Sequence, residues 1–191
     1  MPGMKGTRTE KNLLAAFAGE SQARNRYTYA AGVARKEGFR QIEEIFLETA
    51  ENEREHAKRF FSFLQGGTAE ITASYPAGTT GTTLENLRAA AEGENEEWNA
   101  LYPAFAGVAK EEGFPEVAAA FNLISKVEKE HEARYRKLLE NVQTQTVFRK
   151  ETKVRWKCRN CGFSYEGAAA ITQCPVCKHP QAYFEVVQPL R

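Results

Sequence analysis

The feature that most constrains this chain is an internal repeat with an offset of 75 residues. The segment AGVARKEGF at 31–39 recurs as AGVAKEEGF at 106–114, and the same offset carries Glu53 onto Glu128. Each copy contains two helix-type stretches separated by a glycine, which predicts a helical hairpin. Because one hairpin cannot bury its apolar face alone, two copies predict an all-α four-helix bundle.

Glycine and proline mark the turns of both predicted hairpins. Gly38 and Gly113 suit the C-terminal caps of helices, and Pro115 suits the first turn of the helix that follows. Two helix starts have the spacing of a capping box: Thr7 with Glu10, and Thr82 with Glu85. Residues 66–83 are rich in Gly and Thr and too long for a tight turn, so we expect a ferritin-like crossover connection between the hairpins.

The composition changes near the end of the chain, where short β-type runs surround four cysteines. We therefore predict a domain boundary near residue 147. The helical bundle would occupy residues 1–147, and a small β-rich metal-binding domain would occupy residues 148–191. A chain of 191 residues, 42% of them hydrophobic, is long enough to build both.

Charge and hydropathy exclude several classes of partner. The formal net charge is +1, so neither nucleic acid nor an anionic membrane is expected as the main partner. The opening MPGMKGTRTEKN lacks the apolar core of a signal peptide, and no run of about 18 apolar residues follows, which predicts a cytoplasmic protein. All 25 acidic residues are Glu, so any carboxylate metal site must use Glu.

Each predicted helix has one inward stripe of apolar residues, and every stripe includes glutamate. In the second helix the stripe contains Glu53 and His56, and in the fourth it contains Glu128 and His131. The inward positions, in helix order, are Leu13, Phe17, Glu20, Arg24 and Tyr27; Ile42, Phe46, Thr49, Glu53, His56, Phe60 and Phe63; Leu87, Ala91, Glu94, Glu97 or Trp98, and Leu101; and Val117, Phe121, Ile124, Glu128, His131, Tyr135, Leu138 and Val142.

Several carboxylates in one apolar interior require compensating cations, because each unpaired buried charge costs several kcal/mol. Oxygen ligands with one imidazole per metal suit iron or manganese better than zinc. A single Glu-x-x-His pair is more often a solvated face, but the repeat supplies two such pairs with matching glutamates. We predict two bridged ions with these ligands: Glu53 and Glu128 as bridges, Glu20 and Glu94 as terminal ligands, and His56 and His131 with one ion each.

The repeat slips by one residue in the third helix, because the offset of 75 carries Glu20 onto Asn95 and not onto Glu94. A one-residue insertion of this kind predicts a π-bulge or a similar irregularity of the third helix between Glu94 and Tyr102. Glu97, one turn past Glu94, is a further candidate metal ligand and catalytic residue. Alternatively, Glu97 lies at the rim of the bundle beside Trp98 and has no role at the metals.

Tyr27 and Tyr102 occupy matching positions of the two halves. They are candidate catalytic residues that would hydrogen-bond the ligand carboxylates. The alternative is that both are ordinary core aromatics.

The cysteines form two CxxC knuckles, which predict one tetrahedral four-thiolate site rather than disulfides. The ligands would be Cys158, Cys161, Cys174 and Cys177. Zinc ribbons and single-iron rubredoxin sites use nearly the same spacing, so the spacing alone leaves zinc and iron open.

Taken in order, these motifs resemble the rubrerythrin family over essentially the whole chain, with the CxxCG and CPxC knuckles of a rubredoxin-like tail. The resemblance implies a non-haem di-iron peroxidase that reduces hydrogen peroxide to water in oxidative-stress defence. It also implies one iron in the four-cysteine site and electrons from NAD(P)H, relayed by a rubredoxin or a reductase. In that family, the iron near the first hairpin is described as exchanging ligation of the His56 type for ligation of the Glu97 type.

Helix length limits electron transfer within one chain. From His131 to the expected end of the helix near residue 144 is about 20 Å along the axis. We therefore predict a head-to-tail homodimer or higher homo-oligomer, in which one chain's tail meets another chain's bundle. Two other functions remain open at this stage: a ferritin-like ferroxidase that handles iron, and a non-enzymatic module whose zinc ribbon binds a partner.

Overall fold

The computed structural model describes residues 3–187. Four helical rods form the larger part, as the repeat predicts. The third rod is interrupted by a five-residue π-helical segment, Glu97–Leu101. The helices are α1 (Arg8–Lys36), α2 (Arg40–Phe61), α3 (Thr83–Glu96), α4 (Tyr102–Glu111) and α5 (Pro115–Gln143). Within the described residues, no helix is both long enough and apolar enough to cross a bilayer.

The two hairpins of the repeat are present. α1 packs along α2, and the rod made of α3, the π-helical segment and α4 packs along α5. Gly38 and Gly113 have φ values of +85° and +81°, which favour glycine, and each ends a helix as predicted. Pro115 is the first residue of α5. The π-helical segment lies inside the predicted interval between Glu94 and Tyr102 and confirms that prediction.

The helix starts differ from one another in detail. Thr82 and Glu85 form the complete capping box that the sequence predicts. At α1, Thr7 accepts a hydrogen bond from the Glu10 amide as predicted, but the Glu10 carboxylate takes the amide of Gly6 at 2.7 Å, so the reciprocal half of the box is absent.

A second cap at the start of α1 comes from the far end of α4. Glu112 accepts hydrogen bonds from the backbone amides of Arg8 and Thr9 and from the Thr9 hydroxyl. This carboxylate therefore ties the start of the first hairpin to the second hairpin.

Two aromatic triads bracket the middle of the bundle. Their members correspond to one another through the offset of 75 residues, with ring centroids 4.8 to 6.0 Å apart. The first triad is Tyr27, Phe46 and Tyr135, and the second is Tyr102, Phe121 and Phe60. The layer between these triads holds the buried glutamates and histidines.

The stripe predicted for the first helix is wrong at Arg24, and Phe17 is only partly buried against the core. Ala16 and Ala23 are buried there, whereas Phe17 packs against Phe61 at the edge of the bundle with ring centroids 5.1 Å apart. Arg24 lies half-exposed and faces the Glu51 carboxylate at 3.9 Å. The small alanines let α1 approach its neighbours closely, and the larger side chains are displaced to the rim.

The connection between the hairpins has no regular secondary structure from residue 64 to residue 82. It crosses α1, where the Tyr75 hydroxyl donates to the Ala15 carbonyl at 2.8 Å. This is the predicted long crossover.

The tail folds into an antiparallel sheet of order β2-β1-β3 around buried Trp156 and Phe184. Its strands are β1 (Arg149–Cys158), β2 (Ser164–Ala169) and β3 (Phe184–Val186). It contacts the bundle near the start of α2, where Phe148 stacks on Phe39 and the Arg159 guanidinium lies 3.8 Å from Glu44. The predicted boundary at residue 147 falls between α5 and β1 and stays a prediction.

Candidate metal centres

The buried layer of the bundle contains two overlapping groups of possible metal ligands. One group is Glu20, Glu53, His56 and Glu128, and the other is Glu53, Glu94, Glu128 and His131. In each group, the donor atoms all lie within 4.8 Å of one another. Because Glu53 and Glu128 belong to both groups, they are placed to bridge two ions.

Both imidazoles present Nδ1 to the carboxylates. His56 Nδ1 lies 2.9 Å from Glu53 Oε2 and 2.9 Å from Glu128 Oε1. His131 Nδ1 lies 2.8 Å from Glu128 Oε2 and 3.3 Å from Glu53 Oε1. The pairs from α2 and α5 therefore face each other across the bundle, as their offset predicts.

On the other side of its ring, His131 Nε2 lies 3.3 Å from Asn52 Oδ1. An oxygen partner for the second ring nitrogen fixes the orientation of a metal-binding imidazole. Sequence reasoning missed Asn52, because an Asn on a helix carries no signal of this role.

The electrostatics of the layer are dominated by the burial of several carboxyl groups close to one another. Burial, reinforced by Glu53 and Glu128, raises the pKa of Glu20 well above its usual range. Burial also raises the pKa of Glu94, to about 8. Burial alone would lower the histidine pKa values, but the carboxylates of Glu128 and Glu53 outweigh it and raise the pKa of His56 to about 9.

The unpaired atoms of this layer show that metal ions fit it. Among the described residues, these buried atoms make no well-aligned hydrogen bond, although an imidazole nitrogen approaches some of the oxygens closely: Glu20 Oε2, Glu53 Oε1, Glu94 Oε2, both carboxylate oxygens of Glu128, and His131 Nδ1. Unsatisfied buried oxygens are costly, and two divalent cations with oxygen and imidazole ligands would satisfy them.

The two tyrosines that the sequence singled out bond to carboxylates of the opposite half. The Tyr27 hydroxyl donates to Glu94 Oε1 at 2.6 Å, and the Tyr102 hydroxyl donates to Glu20 Oε1 at 2.5 Å. Each tyrosine leaves the second oxygen of its glutamate unpaired. Burial, followed by the facing carboxylate, raises both tyrosine pKa values well above 10, so the hydroxyls remain donors.

Glu97 lies beside this layer but outside both ligand groups. It is the first residue of the π-helical segment and is partly buried. Burial, followed by the charges of Glu94 and Glu128, raises its pKa well above its usual range. The π-helical segment therefore places a carboxyl group next to the site without bringing it within the ligand distances of the other six residues.

Residues of α5 hold the π-helical segment in place, and sequence reasoning missed them. Glu132 accepts hydrogen bonds from the Trp98 indole and the Asn95 amide. The ammonium group of Lys129 lies 5.0 Å from the Trp98 ring centroid. Ser125 donates to the Trp98 carbonyl. These three α5 residues lie on one helical face, so the spacing could have indicated a shared contact.

The four cysteines of the tail converge as predicted. Cys158 and Cys177 have their sulfurs 3.7 Å apart, and Cys161 and Cys174 have theirs 3.6 Å apart. A disulfide requires about 2.05 Å, whereas a tetrahedral ion with metal–sulfur bonds of about 2.3 Å separates its sulfurs by about 3.8 Å. The geometry fits a single tetrahedral ion.

Comparisons with known proteins agree with both centres. The family model "Rubrerythrin" matches residues 11–139, and the model "Rubrerythrin, rubredoxin-like domain" matches residues 156–185. A rubrerythrin of Porphyromonas gingivalis is 63% identical over 182 residues, which cover 95% of this chain and 91% of that protein.

The chain is also similar to solved structures. The fully reduced, all-ferrous state of nigerythrin has a TM-score of 0.64 and 28% identity, and the match covers 96% of this chain and 91% of that one. A bacterioferritin of Desulfovibrio desulfuricans, at 20% identity and a TM-score of 0.63 over 73% of this chain and 82% of that one, shows the ferritin-like fold alone. The chain thus belongs to the rubrerythrin family, and it combines the di-iron site of a ferritin-like bundle with a rubredoxin-like iron domain.

Proposed function

We propose that this chain is a cytoplasmic peroxidase that reduces hydrogen peroxide to water in defence against oxidative stress. The observation that carries the proposal is the presence of a two-metal pocket and a separate four-thiolate site in one chain. When bound, a diferrous pair supplies the two electrons that cleave an O–O bond. The proposed ligands are Glu20, Glu53, His56, Glu94, Glu128 and His131 in the bundle, with Glu97 as an additional ligand, and Cys158, Cys161, Cys174 and Cys177 in the tail.

The residues of the bundle have distinct proposed roles. Glu53 and Glu128 would hold both ions, and Tyr27 and Tyr102 orient the terminal carboxylates through their hydroxyls. Glu97 offers further negative charge when the positive charge of the site rises on oxidation. Its carboxyl group, whose pKa is raised, can also hold a proton for the departing oxygen.

The tail is the proposed electron donor to the bundle, with a rubredoxin or an NAD(P)H-dependent reductase as the external source. Within one chain, the knuckle residue Arg159 pairs with Glu44, and the rise of α2 from Glu44 to Glu53 is about 14 Å. We propose that electrons take a path between the chains of a head-to-tail homodimer instead of this one.

Exposed apolar side chains support the same arrangement. Val176, within the second knuckle, is 65% exposed. On α5, Leu123 and Val127 are exposed, and Val127 lines a shallow cleft with His131. We propose that these surfaces meet between two copies of the chain.

The decisive experiment is the visible absorption of the anaerobically reduced protein before and just after stoichiometric hydrogen peroxide is added. Rapid return of a red thiolate-to-iron band is expected, because it requires iron in both sites and electron transfer between them. A protein that stays colourless would overturn the relay and favour a zinc-ribbon module. Gel filtration adds a second test: a dimer or tetramer is expected, whereas a large hollow shell would favour an iron-storing ferroxidase.

A further inference from the structure

A cavity of about 730 Å³ lies between α1, the π-helical segment and the crossover connection. Residues 70–76 of the crossover form its roof. Tyr75 attaches this roof to α1, because its hydroxyl donates a hydrogen bond to the Ala15 carbonyl and its ring lies over Gly19. The exposed residue Lys11 also lines the cavity.

The inner end of the cavity reaches the proposed di-iron site. Glu97 and Tyr102 both line it, and Tyr102 bonds directly to Glu20. A molecule that enters beneath the crossover therefore arrives at two groups of the proposed reaction centre.

Two glycines inside helices line the walls of the cavity. Gly19 and Gly93 directly precede Glu20 and Glu94. A glycine inside a helix costs roughly 0.5–1 kcal/mol relative to alanine. Neither glycine has the positive φ that would require it.

Packing does not require these glycines either. A Cβ at Gly93 would meet nothing within 4 Å, and one at Gly19 would meet only the Tyr75 ring, at an ordinary contact distance of 3.7 Å. The missing side chains thus leave open space on both walls of the cavity, next to two proposed ligands.

The volume and lining of the cavity indicate a ligand larger than hydrogen peroxide. Pockets for organic ligands usually measure about 300–1,000 Å³ and are largely apolar with a few polar groups. Ala15, Leu101 and Phe105 supply the apolar part of the wall here, and Glu97 and Tyr102 are at the inner end. Polar side chains such as those of Asn12 and Gln22 line the rest of the cavity.

We propose that this cavity binds hydroperoxides that carry an apolar organic group, and that Gly19 and Gly93 set the width that admits them. The organic group lies against the apolar wall, and the O–O group points to Glu97 and Tyr102. This inference rests on the proposed peroxidase function and names a second substrate class for the same site.

The reaction balances with the electrons of that function. The O–O bond of ROOH breaks, two ferrous ions are oxidised to ferric, and two protons are taken up. The products are one alcohol, ROH, and one water that contains the terminal oxygen.

The test compares cumene hydroperoxide with hydrogen peroxide in the iron-loaded protein and two leucine variants. Gly93→Leu fills the cavity wall. Gly32→Leu is the matched control, since Gly32 is also within a helix and has free space around its Cβ, but lies away from the cavity.

The wild type is expected to reduce both peroxides. For Gly93→Leu, the ratio of kcat/KM for cumene hydroperoxide to kcat/KM for hydrogen peroxide should fall at least about tenfold, as expected when a pocket loses the room for a bulky group. For Gly32→Leu the ratio should not change. An unchanged ratio in Gly93→Leu, or a wild type that reduces hydrogen peroxide alone, would overturn the inference.

A binding measurement separates this inference from the proposed function. Calorimetry of the resting, iron-loaded protein with 2-phenyl-2-propanol, the product alcohol, should show saturable binding that Gly93→Leu loses and Gly32→Leu keeps. Hydrogen peroxide reduction without alcohol binding would refute the cavity site. Alcohol binding without reduction of either peroxide would support the site and overturn the proposed function.

Discussion

The hydroxyl of Ser125 donates a hydrogen bond to the backbone carbonyl of Trp98 at 3.0 Å. In the π register, the amide of Tyr102 bonds to the Glu97 carbonyl. The next residue, Pro103, has no N–H. The Trp98 carbonyl therefore lacks both donors that its own helix would normally offer, and Ser125 of α5 replaces them.

Removing this donor should destabilise the protein. Ser125→Ala leaves a partly buried carbonyl unsatisfied, so the free energy of unfolding should fall by about 1–3 kcal/mol in urea denaturation. The matched control is Ser21→Ala, because the Ser21 hydroxyl bonds only to the Phe17 carbonyl in its own helix. That variant should change stability by no more than about 0.5 kcal/mol. Equal losses in both variants would contradict the role of Ser125.

Removing a bridging carboxylate should separate the two metal centres. Glu128 belongs to both ligand groups, so Glu128→Ala should abolish iron binding in the bundle and peroxide reduction, while the four-cysteine centre keeps its iron and its visible spectrum. Metal analysis and absorption spectroscopy check this together. Glu116→Ala, at an exposed glutamate in the first turn of α5, should keep both centres. Full activity in Glu128→Ala would refute the ligand assignment.

The tyrosine hydroxyls should raise the iron affinity and the activity of the site by orienting the terminal glutamate ligands. Tyr102→Phe removes the donor to Glu20, and partners of this kind typically contribute roughly 10–100-fold to metal affinity or activity. Competition with a chelator gives the iron affinity, and steady-state kinetics gives the activity. Tyr29→Phe, at an exposed position of α1, is the control and should match the wild type. The prediction fails if both variants behave alike.

Without iron in the bundle, stability should fall as pH rises. The pKa of Glu94 is about 8 against a usual 4.5, and that of His56 is about 9 against 6.5. At a pH between the usual and the raised pKa of either group, the folded state holds a proton that the unfolded state has released. Each such proton makes the free energy of unfolding fall by about 1.4 kcal/mol per pH unit.

Thermal unfolding from pH 5.5 to 8.5 tests this, with the cysteine site loaded and the bundle either empty or filled with iron. The Tm of the empty form should fall across this range, and the iron-loaded form should be less sensitive because cations replace the protons. A rising Tm in the empty form would contradict the assignment.

Glu53 acts in the opposite sense at acid pH. Its pKa is lowered to about 2, so its contribution to stability is lost as the pH falls from 4.5 through 2.

The cap at the start of α1 should be sensitive to acid. The Thr9 hydroxyl, with the amides of Thr9 and Arg8, lowers the pKa of Glu112 to about 2, so its contribution is present above pH 4.5 and declines as pH falls through 2. Glu112→Gln should destabilise the protein by about 0.5–2 kcal/mol at pH 7. Thermal denaturation should show that this deficit shrinks below pH 4.5. Glu111→Gln, at a more exposed glutamate bound only to Arg8, should have a smaller effect at both pH values.

The repeat predicted the four rods, and its one-residue slip predicted the π-helical segment. Periodicity predicted the ligand-bearing stripes, because burial on one helix face follows directly from spacing. It was wrong for Arg24 and predicted deeper burial for Phe17 than is found, since close packing against α1 depends on the neighbouring helix and not on α1 itself. It also missed the contact of Glu132 with Trp98. That contact joins two rods through polar side chains, and its sequence signal is only that Ser125, Lys129 and Glu132 lie on one face of α5, without a partner named.

The repeat and its one-residue slip together have a consequence for the history of the site. Each half supplies the tyrosine that orients the other half's glutamate, as Tyr27 does for Glu94 and Tyr102 for Glu20. Two identical ancestral hairpins could therefore have formed an interchangeable pair of metal positions. With the slip, the place that corresponds to Glu97 is taken by the buried Ala23. The extra residue of the second half, together with Glu97 where the first half has Ala23, makes two otherwise matching positions chemically different.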